Sequence, residues 1–130
     1  MKVLVVDDDP EVAAALAEQA RLLNHEVTAV TDGEQAIAAA QRVHFEAALL
    51  DLAMPVMDGY ELARRLIVMR PSGLYLVAVT GSDSDADLLR TATAGFVEHL
   101  VKPCPMAVLR GALERAALRN AGSRPAPSVL

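Results

Sequence analysis

The chain has 130 residues, 53% of them in the hydrophobic class, and a formal net charge of −5. That is one domain's length, enough to bury a core without disulfide or metal staples, and too apolar for a disordered chain. With 17 Asp+Glu against 12 Lys+Arg, a non-specific nucleic-acid binder is excluded, because phosphate binding needs a basic face, and no apolar run approaches the roughly 20 residues that span a bilayer.

Lys2–Val6 is β-branched and almost wholly apolar, and it ends abruptly in Asp7-Asp8-Asp9. A continuous apolar strand is usually buried on both faces, as in a parallel sheet. Asp9-Pro10-Glu11 reads as a helix start, with Asp as cap, Pro in the first position and Glu in the first turn. Val12, Leu16, Ala20 and Leu23 follow at helical spacing, and Asn24 is the expected left-handed stop. Glu26–Val30 is the second strand, Thr31-Asp32-Gly33 a turn, and 34–42 the second helix. Residues 46–50 form the third strand, ending at Asp51. A Met/Pro/Asp loop over 53–58 leads to a helix over Gly59–Met69, which Pro71-Ser72-Gly73 breaks. The fourth strand spans 74–79 and ends in Thr80-Gly81. A helix over 82–94 has an acidic first turn, which suits its dipole, and Gly95 stops it. Residues 96–101 contain the fifth strand, ending in Lys102-Pro103. Met106, Leu109, Leu113 and Ala116 give the last helix its apolar stripe. The folded domain is expected to occupy 1–119 and a short flexible tail 120–130. Alternating strands and helices of this kind imply a doubly wound α/β fold around a parallel sheet.

In such a sheet ligands sit beyond the carboxyl ends of the strands. Those ends carry Asp7 and Asp8, Asp51, Thr80 and Lys102. Lysine is otherwise avoided: the basic residues are ten Arg and two Lys. A cis X–Pro bond after a strand serves to aim the preceding side chain, which adds weight to Lys102. Carboxylates about 4 Å apart repel by roughly 4 kcal/mol per pair at an effective dielectric of 20. A divalent cation removes that penalty, and oxygen ligands of this type select Mg²⁺. The set suits phosphoryl transfer to a carboxylate. Asp9 reads as a helix cap only.

The motifs Val5-Val6-Asp7-Asp8-Asp9-Pro10, Leu50-Asp51-Leu52-Ala53-Met54-Pro55-Val56-Met57-Asp58-Gly59, Val79-Thr80-Gly81 and Leu100-Val101-Lys102-Pro103 resemble, in order and spacing, the receiver domains of two-component response regulators. The likeness runs from Lys2 to about Leu118. It implies a flavodoxin-like (βα)5 fold with strand order 2-1-3-4-5. It implies Asp51 as phosphoacceptor, Asp8 as a direct Mg²⁺ ligand, Asp7 acting through water, and Ala53 contributing its backbone carbonyl. Thr80 matches the hydroxyl that moves to the phosphoryl group, and Lys102 the ammonium that pairs with it. Expected partners are a sensor histidine kinase or phosphotransfer protein and an output protein, met through the face of the fourth helix, fifth strand and fifth helix, with neither nucleic acid nor membrane contacted directly.

The sequence departs from the family pattern at His99, where Tyr or Phe is usual. His99 reads either as a half-buried edge residue or as a switch side chain, and the segment around it resembles receivers of hybrid sensor kinases. Gly81 replaces the commoner Ala, and Cys104, a lone cysteine consistent with a reducing cytoplasm, replaces a common Phe as a packing residue. Ala53 and Ser82 lie where the family tunes hydrolysis. Met54 and Met57 are expected to pack the loop. His25 and His44 lack metal-ligand spacing with Cys104. The opening run is too short for a signal peptide, so a cytoplasmic location is expected. Besides a stand-alone switch, a receiver within a hybrid sensor kinase and, more remotely, a Mg²⁺-dependent phosphohydrolase are compatible. The short connections leave little room for the substrate cap that a hydrolase needs.

Overall fold

A computed structural model describes residues 1–71, 73–81 and 85–123. The elements alternate strictly: β1 (Lys2–Val6), α1 (Pro10–Leu22), β2 (Glu26–Val30), α2 (Gly33–Arg42), β3 (Ala47–Leu50), α3 (Gly59–Met69), β4 (Tyr75–Thr80), α4 (Asp85–Thr93), β5 (Glu98–Val101) and α5 (Met106–Ser123). All strand pairs are parallel, in the order β2-β1-β3-β4-β5. This is the flavodoxin-like doubly wound sheet that the sequence implied.

The pleat explains why the central strands are apolar throughout. Alternate residues of a strand face opposite sides. Val3 and Val5, Ala47 and Leu49, and Val77 and Val79 join one core layer with α1 and α5. Leu4 and Val6, Ala48 and Leu50, and Leu76 and Ala78 join the other, with α2 and α3. Each strand must therefore satisfy two hydrophobic layers at once, which leaves no position for a polar residue until the strand ends.

Local signals set the helix boundaries. Asp9, Asp32 and Asp58 cap α1, α2 and α3, accepting from the N–H of Glu11, Gln35 and Glu61 at 2.9, 2.8 and 2.9 Å. Asn24 takes the left-handed conformation (φ 71°) expected of a stop. Gly95 has φ 101°, a left-handed conformation that favours glycine in the turn after α4. The Lys102–Pro103 bond is cis. Helix α2 begins at Gly33, one residue before the expected start, because Asp32 is the cap. The expected start of α4 at Ser82 lies outside the described residues.

Of the expected tail, residues 124–130 lie outside the described residues. Helix α5 continues through Ser123, and Asn120 is buried, its Nδ2 donating to the Glu46 carbonyl at 3.1 Å. That tertiary hydrogen bond holds the helix past the point where its sequence turns to Asn, Gly and Ser.

At the amino ends of β4 and β5, Tyr75 Oη donates to Glu98 Oε2 at 2.6 Å. Arg115 of α5 donates to both Glu98 oxygens at 3.0 and 2.6 Å.

Candidate functional site

The chain crosses over β1 between β2 and β3, so the carboxyl ends of β1 and β3 form the point where the strand order reverses, the usual ligand crevice of such sheets. Asp7 follows β1 and Asp51 follows β3. Both are buried, and the Asp51 N–H donates to the Val6 carbonyl at 2.9 Å, fixing the two strand ends side by side. Asp8 is exposed at the rim. One oxygen from each of Asp7, Asp8 and Asp51 falls within 4.8 Å of the others. Among the described residues this is the cluster able to hold a metal ion, and its hard oxygen donors suit a hard divalent cation.

Lys102 reaches the same point from the end of β5. Its Nζ lies 2.7 Å from Asp7 Oδ2 and 3.2 Å from Asp51 Oδ1. Burial alone would lower the ammonium's pKa, but Asp7 and Asp51 outweigh it, and the pKa stands above its ordinary value. For Asp51 the balance goes the other way. Burial raises its carboxyl and the neighbouring Asp7 charge adds to that. Lys102 offsets only part, and the group is pushed up to about 6. Asp51 is thus a carboxylate short of positive charge.

The Ala53 N–H lies 3.3 Å from Asp51 Oδ1 and donates to it. The Ala53 side chain is exposed, leaving the approach beside Asp51 uncluttered. Thr80 is buried at the end of β4 and its carbonyl accepts from the Lys102 N–H at 2.7 Å. Thr80 and Ala53 line a cleft of about 530 Å³ whose far wall is Met54, Asp58, Tyr60 and Arg90. A Cβ at Gly81 would meet nothing within 4 Å, so this rim is open. Met54 and Met57 are buried beneath the loop, as expected of packing residues. Cys104 is also buried, and burial pushes its thiol pKa up, consistent with packing.

His99 is not part of the carboxylate cluster. It is half-buried on β5, and its Nδ1 lies 3.2 Å from Thr91 Oγ1 on α4. Thr91 Oγ1 donates its single proton to the Leu88 carbonyl at 2.9 Å. A hydroxyl has one proton to give, so in this geometry His99 Nδ1 carries the hydrogen and donates to Thr91.

Two contributors were missed in the sequence. A Cβ on Gly59 would lie 2.3 Å from the Asp51 carbonyl oxygen and 2.8 Å from Leu52 Cα. The first residue of α3 is therefore pressed against the backbone that carries Asp51, and its N–H donates to the Leu52 carbonyl at 3.0 Å. The Asp-Gly pair before a helical run was the available signal. The second is the stack of Arg90 on Tyr60, with the guanidinium carbon 3.8 Å from the ring centroid. No sequence spacing announces it, because the partners lie on different helices.

Fold and site together define a flavodoxin-like α/β domain with an acidic crevice answered by one lysine. The chain matches the response regulator receiver domain model over residues 3–114, and it belongs to that family. It is 35% identical to the transcriptional regulatory protein PrrA of Mycobacterium tuberculosis over 122 residues, covering 94% of this chain and 52% of PrrA. It is 32% identical to the transcriptional regulatory protein TcrA of the same organism over 130 residues, covering 100% of this chain and 50% of TcrA. The chain thus spans about half the length of these curated relatives. Among solved structures, chemotaxis protein CheY4 of Vibrio cholerae superimposes with a TM-score of 0.83 at 27% identity, covering 88% of this chain and 97% of CheY4. A CheY-like receiver domain protein of Methanospirillum hungatei shares the fold with a TM-score of 0.87 at 24% identity, covering 95% of this chain and 98% of its own.

Proposed function

We propose that this receiver domain is a phosphorylation-dependent switch in which Asp51 accepts a phosphoryl group from the phosphohistidine of a sensor kinase or phosphotransfer protein. One observation carries the reading: a buried Asp51 carboxylate 3.2 Å from the Lys102 ammonium, with Asp7 and Asp8 oxygens within 4.8 Å.

The donor set fits Mg²⁺, since three carboxylates converge where their mutual repulsion favours a divalent cation. Asp8 and Asp51 would hold it directly, Asp7 through water, and Ala53 through its carbonyl. Bound there, Mg²⁺ neutralises charge on the transferring phosphoryl oxygens. The chain supplies the rest. An Asp51 oxygen forms the new P–O bond while the P–N bond to the donor imidazole breaks. Asp51 then carries about two negative charges in place of one. Lys102 stays opposite that charge, and the Thr80 hydroxyl donates to a phosphoryl oxygen. Stabilising charge as it develops is the main work of such transfers. The domain is in this sense a self-catalysing phosphoacceptor that later hydrolyses, and it turns over no external substrate.

His99 and Thr80 are the switch side chains of this reading. They bias the α4–β5–α5 face toward an output protein. The contact of His99 with Thr91 supports a link between β5 and α4. In this reading the partners are proteins, with no direct contact to nucleic acid and none to membrane. Among the described residues no helix is long and apolar enough to cross a membrane, and we place the domain, residues 1–119 with the last turn of α5 beyond it, in the cytoplasm. The relatives described above are named transcriptional regulators, which favours a response regulator over a receiver within a hybrid kinase.

The test is intact mass after incubation with acetyl phosphate or a phosphorylated histidine donor, with and without Mg²⁺. One phosphoryl group should be gained by the wild type only with Mg²⁺, and none by Asp51→Ala. A gain that survives Asp51→Ala would overturn the assignment.

A further inference from the structure

Among the described residues, the side chains at the Asp51 cluster offer a donor one ammonium, Lys102. Asp7, Asp8 and Asp51 face one ammonium, and Lys102 is already engaged by Asp7 at 2.7 Å and Asp51 at 3.2 Å. With a divalent cation and Lys102 answering the three carboxylates the cluster is formally neutral, so it supplies no net long-range attraction for a doubly charged donor. The open approach is the cleft of about 530 Å³ beside Ala53 and Thr80, and the cation on its wall is Arg90.

Arg90 is held there by stacking. Its guanidinium carbon sits 3.8 Å above the centre of the Tyr60 ring. Tyr60 in turn meets buried Phe96 edge-on, with centroids 6.3 Å apart and planes at 88°, which anchors the platform to the core. Arg64, Arg65 and Arg115 are in salt bridges, whereas the contact recorded for the Arg90 guanidinium is the Tyr60 ring. The acid sharing the cleft, Asp58, is occupied as the cap of α3, accepting from Glu61 N–H at 2.9 Å. A stacked guanidinium uses its face for the ring and keeps its in-plane N–H groups for a ligand, in the fork geometry that suits phosphate oxygens.

We infer that Arg90 is a specificity-determining residue for the phosphodonor, drawing small doubly charged acyl phosphates into the cleft beside Asp51 in preference to donors of lower charge. This rests on the reading of Asp51 as phosphoacceptor. In the step concerned, an Asp51 carboxylate oxygen forms a bond to phosphorus, the bond from phosphorus to the acyl oxygen breaks, and the carboxylate of the donor leaves with that electron pair. Arg90 forms and breaks no bond. It raises the local concentration of the anion, as cationic walls of clefts do.

The experiment measures the second-order rate of mass gain with Mg²⁺ present at pH 7, for acetyl phosphate and for phosphoramidate, which carries one fewer negative charge. Wild type, Arg90→Gln, Arg90→Lys and Tyr60→Leu are compared at low and high salt, with thermal melts to verify folding. Arg90→Gln should slow acetyl phosphate about tenfold at low salt and phosphoramidate less than about threefold, and it should flatten the salt dependence. Arg90→Lys should restore most of the rate, and Tyr60→Leu, which removes the platform, should fall between. Equal rates for wild type and Arg90→Gln, or equal losses with both donors, would overturn the role of Arg90 while leaving Asp51 as the acceptor. Failure of the wild type to gain mass from either small donor while a phosphohistidine donor loads it would overturn this inference alone, and failure with the phosphohistidine donor as well would overturn the acceptor reading.

Discussion

Replacing Asp51 with Asn should make the metal-free protein more stable, although it removes the proposed phosphoacceptor. The Asp51 carboxyl is pushed from 3.8 up to about 6, first by burial and then by the Asp7 charge. A folded-state value above the unfolded one means that the native protein binds this proton more tightly, so stability falls as pH rises from about 4 to about 6. At roughly 1.4 kcal/mol per unit, and discounted for screening by the solvent that reaches the cluster at exposed Asp8, the shift is worth on the order of 1–2 kcal/mol at neutral pH. Asn mimics the protonated carboxyl. Its amide oxygen can accept from Lys102 and from the Ala53 N–H, and its NH₂ can donate to Asp7 or Asp8. In EDTA at pH 7.5, Asp51→Asn should therefore melt about 5 °C higher than wild type, taking roughly 4 °C per kcal/mol for a domain of this size. The gap should close as pH falls below about 4, where wild-type Asp51 is protonated in both states. Thermal melts across pH 4–8 measure this. A variant that is less stable than wild type at pH 7.5, or a gap independent of pH, would refute the account of a charge-starved carboxylate.

Mg²⁺ should raise the wild-type melting temperature by mass action, by about 1.4 kcal/mol at ten times its dissociation constant, and should do so far less in Asp51→Asn; equal stabilisation of both proteins would place the ion elsewhere. Gly59→Ala should cost upward of about 2 kcal/mol, because the new methyl meets backbone that cannot step aside, and denaturant melts that match wild type would exclude the close approach. Nitrogen NMR of His99 at pH 8 should show the proton on Nδ1, and Thr91→Val should release that preference. An Nε2-protonated ring in the wild type would contradict the hydrogen-bond order drawn from Thr91 and Leu88.

Much of this architecture was readable because a doubly wound sheet leaves few choices. The apolar runs of β1, β3 and β4 had to be buried on both faces, and their abrupt polar ends, Asp7, Asp51 and Thr80, had to fall on one edge. Caps such as Asp9 act within one turn, so local sequence contains them. What escaped reading depends on contacts between distant segments. The burial of Asn120 against Glu46 extends α5 where composition suggests fraying. Gly59 touches the Asp51 backbone only once α3 has docked. The Arg90–Tyr60 stack joins two helices, and the partner of His99 was unknowable until α4 lay beside β5.

The cluster of Tyr75, Glu98 and Arg115 has a mechanical consequence. It ties β4, β5 and α5 together at the strands' amino ends, while Thr80 and Lys102 stand at the opposite ends. From Glu98 to Lys102 the backbone runs about 13 Å, at roughly 3.3 Å per residue. Any tilt of β5 that keeps the tie intact has its fulcrum there, and a rotation of about 5° sweeps the Lys102 backbone through about 1 Å over that arm. The sheet is a lever with its pivot at one end and the Lys102–Asp7–Asp51 cluster at the tip, where a small angle becomes the length of a hydrogen bond made or lost.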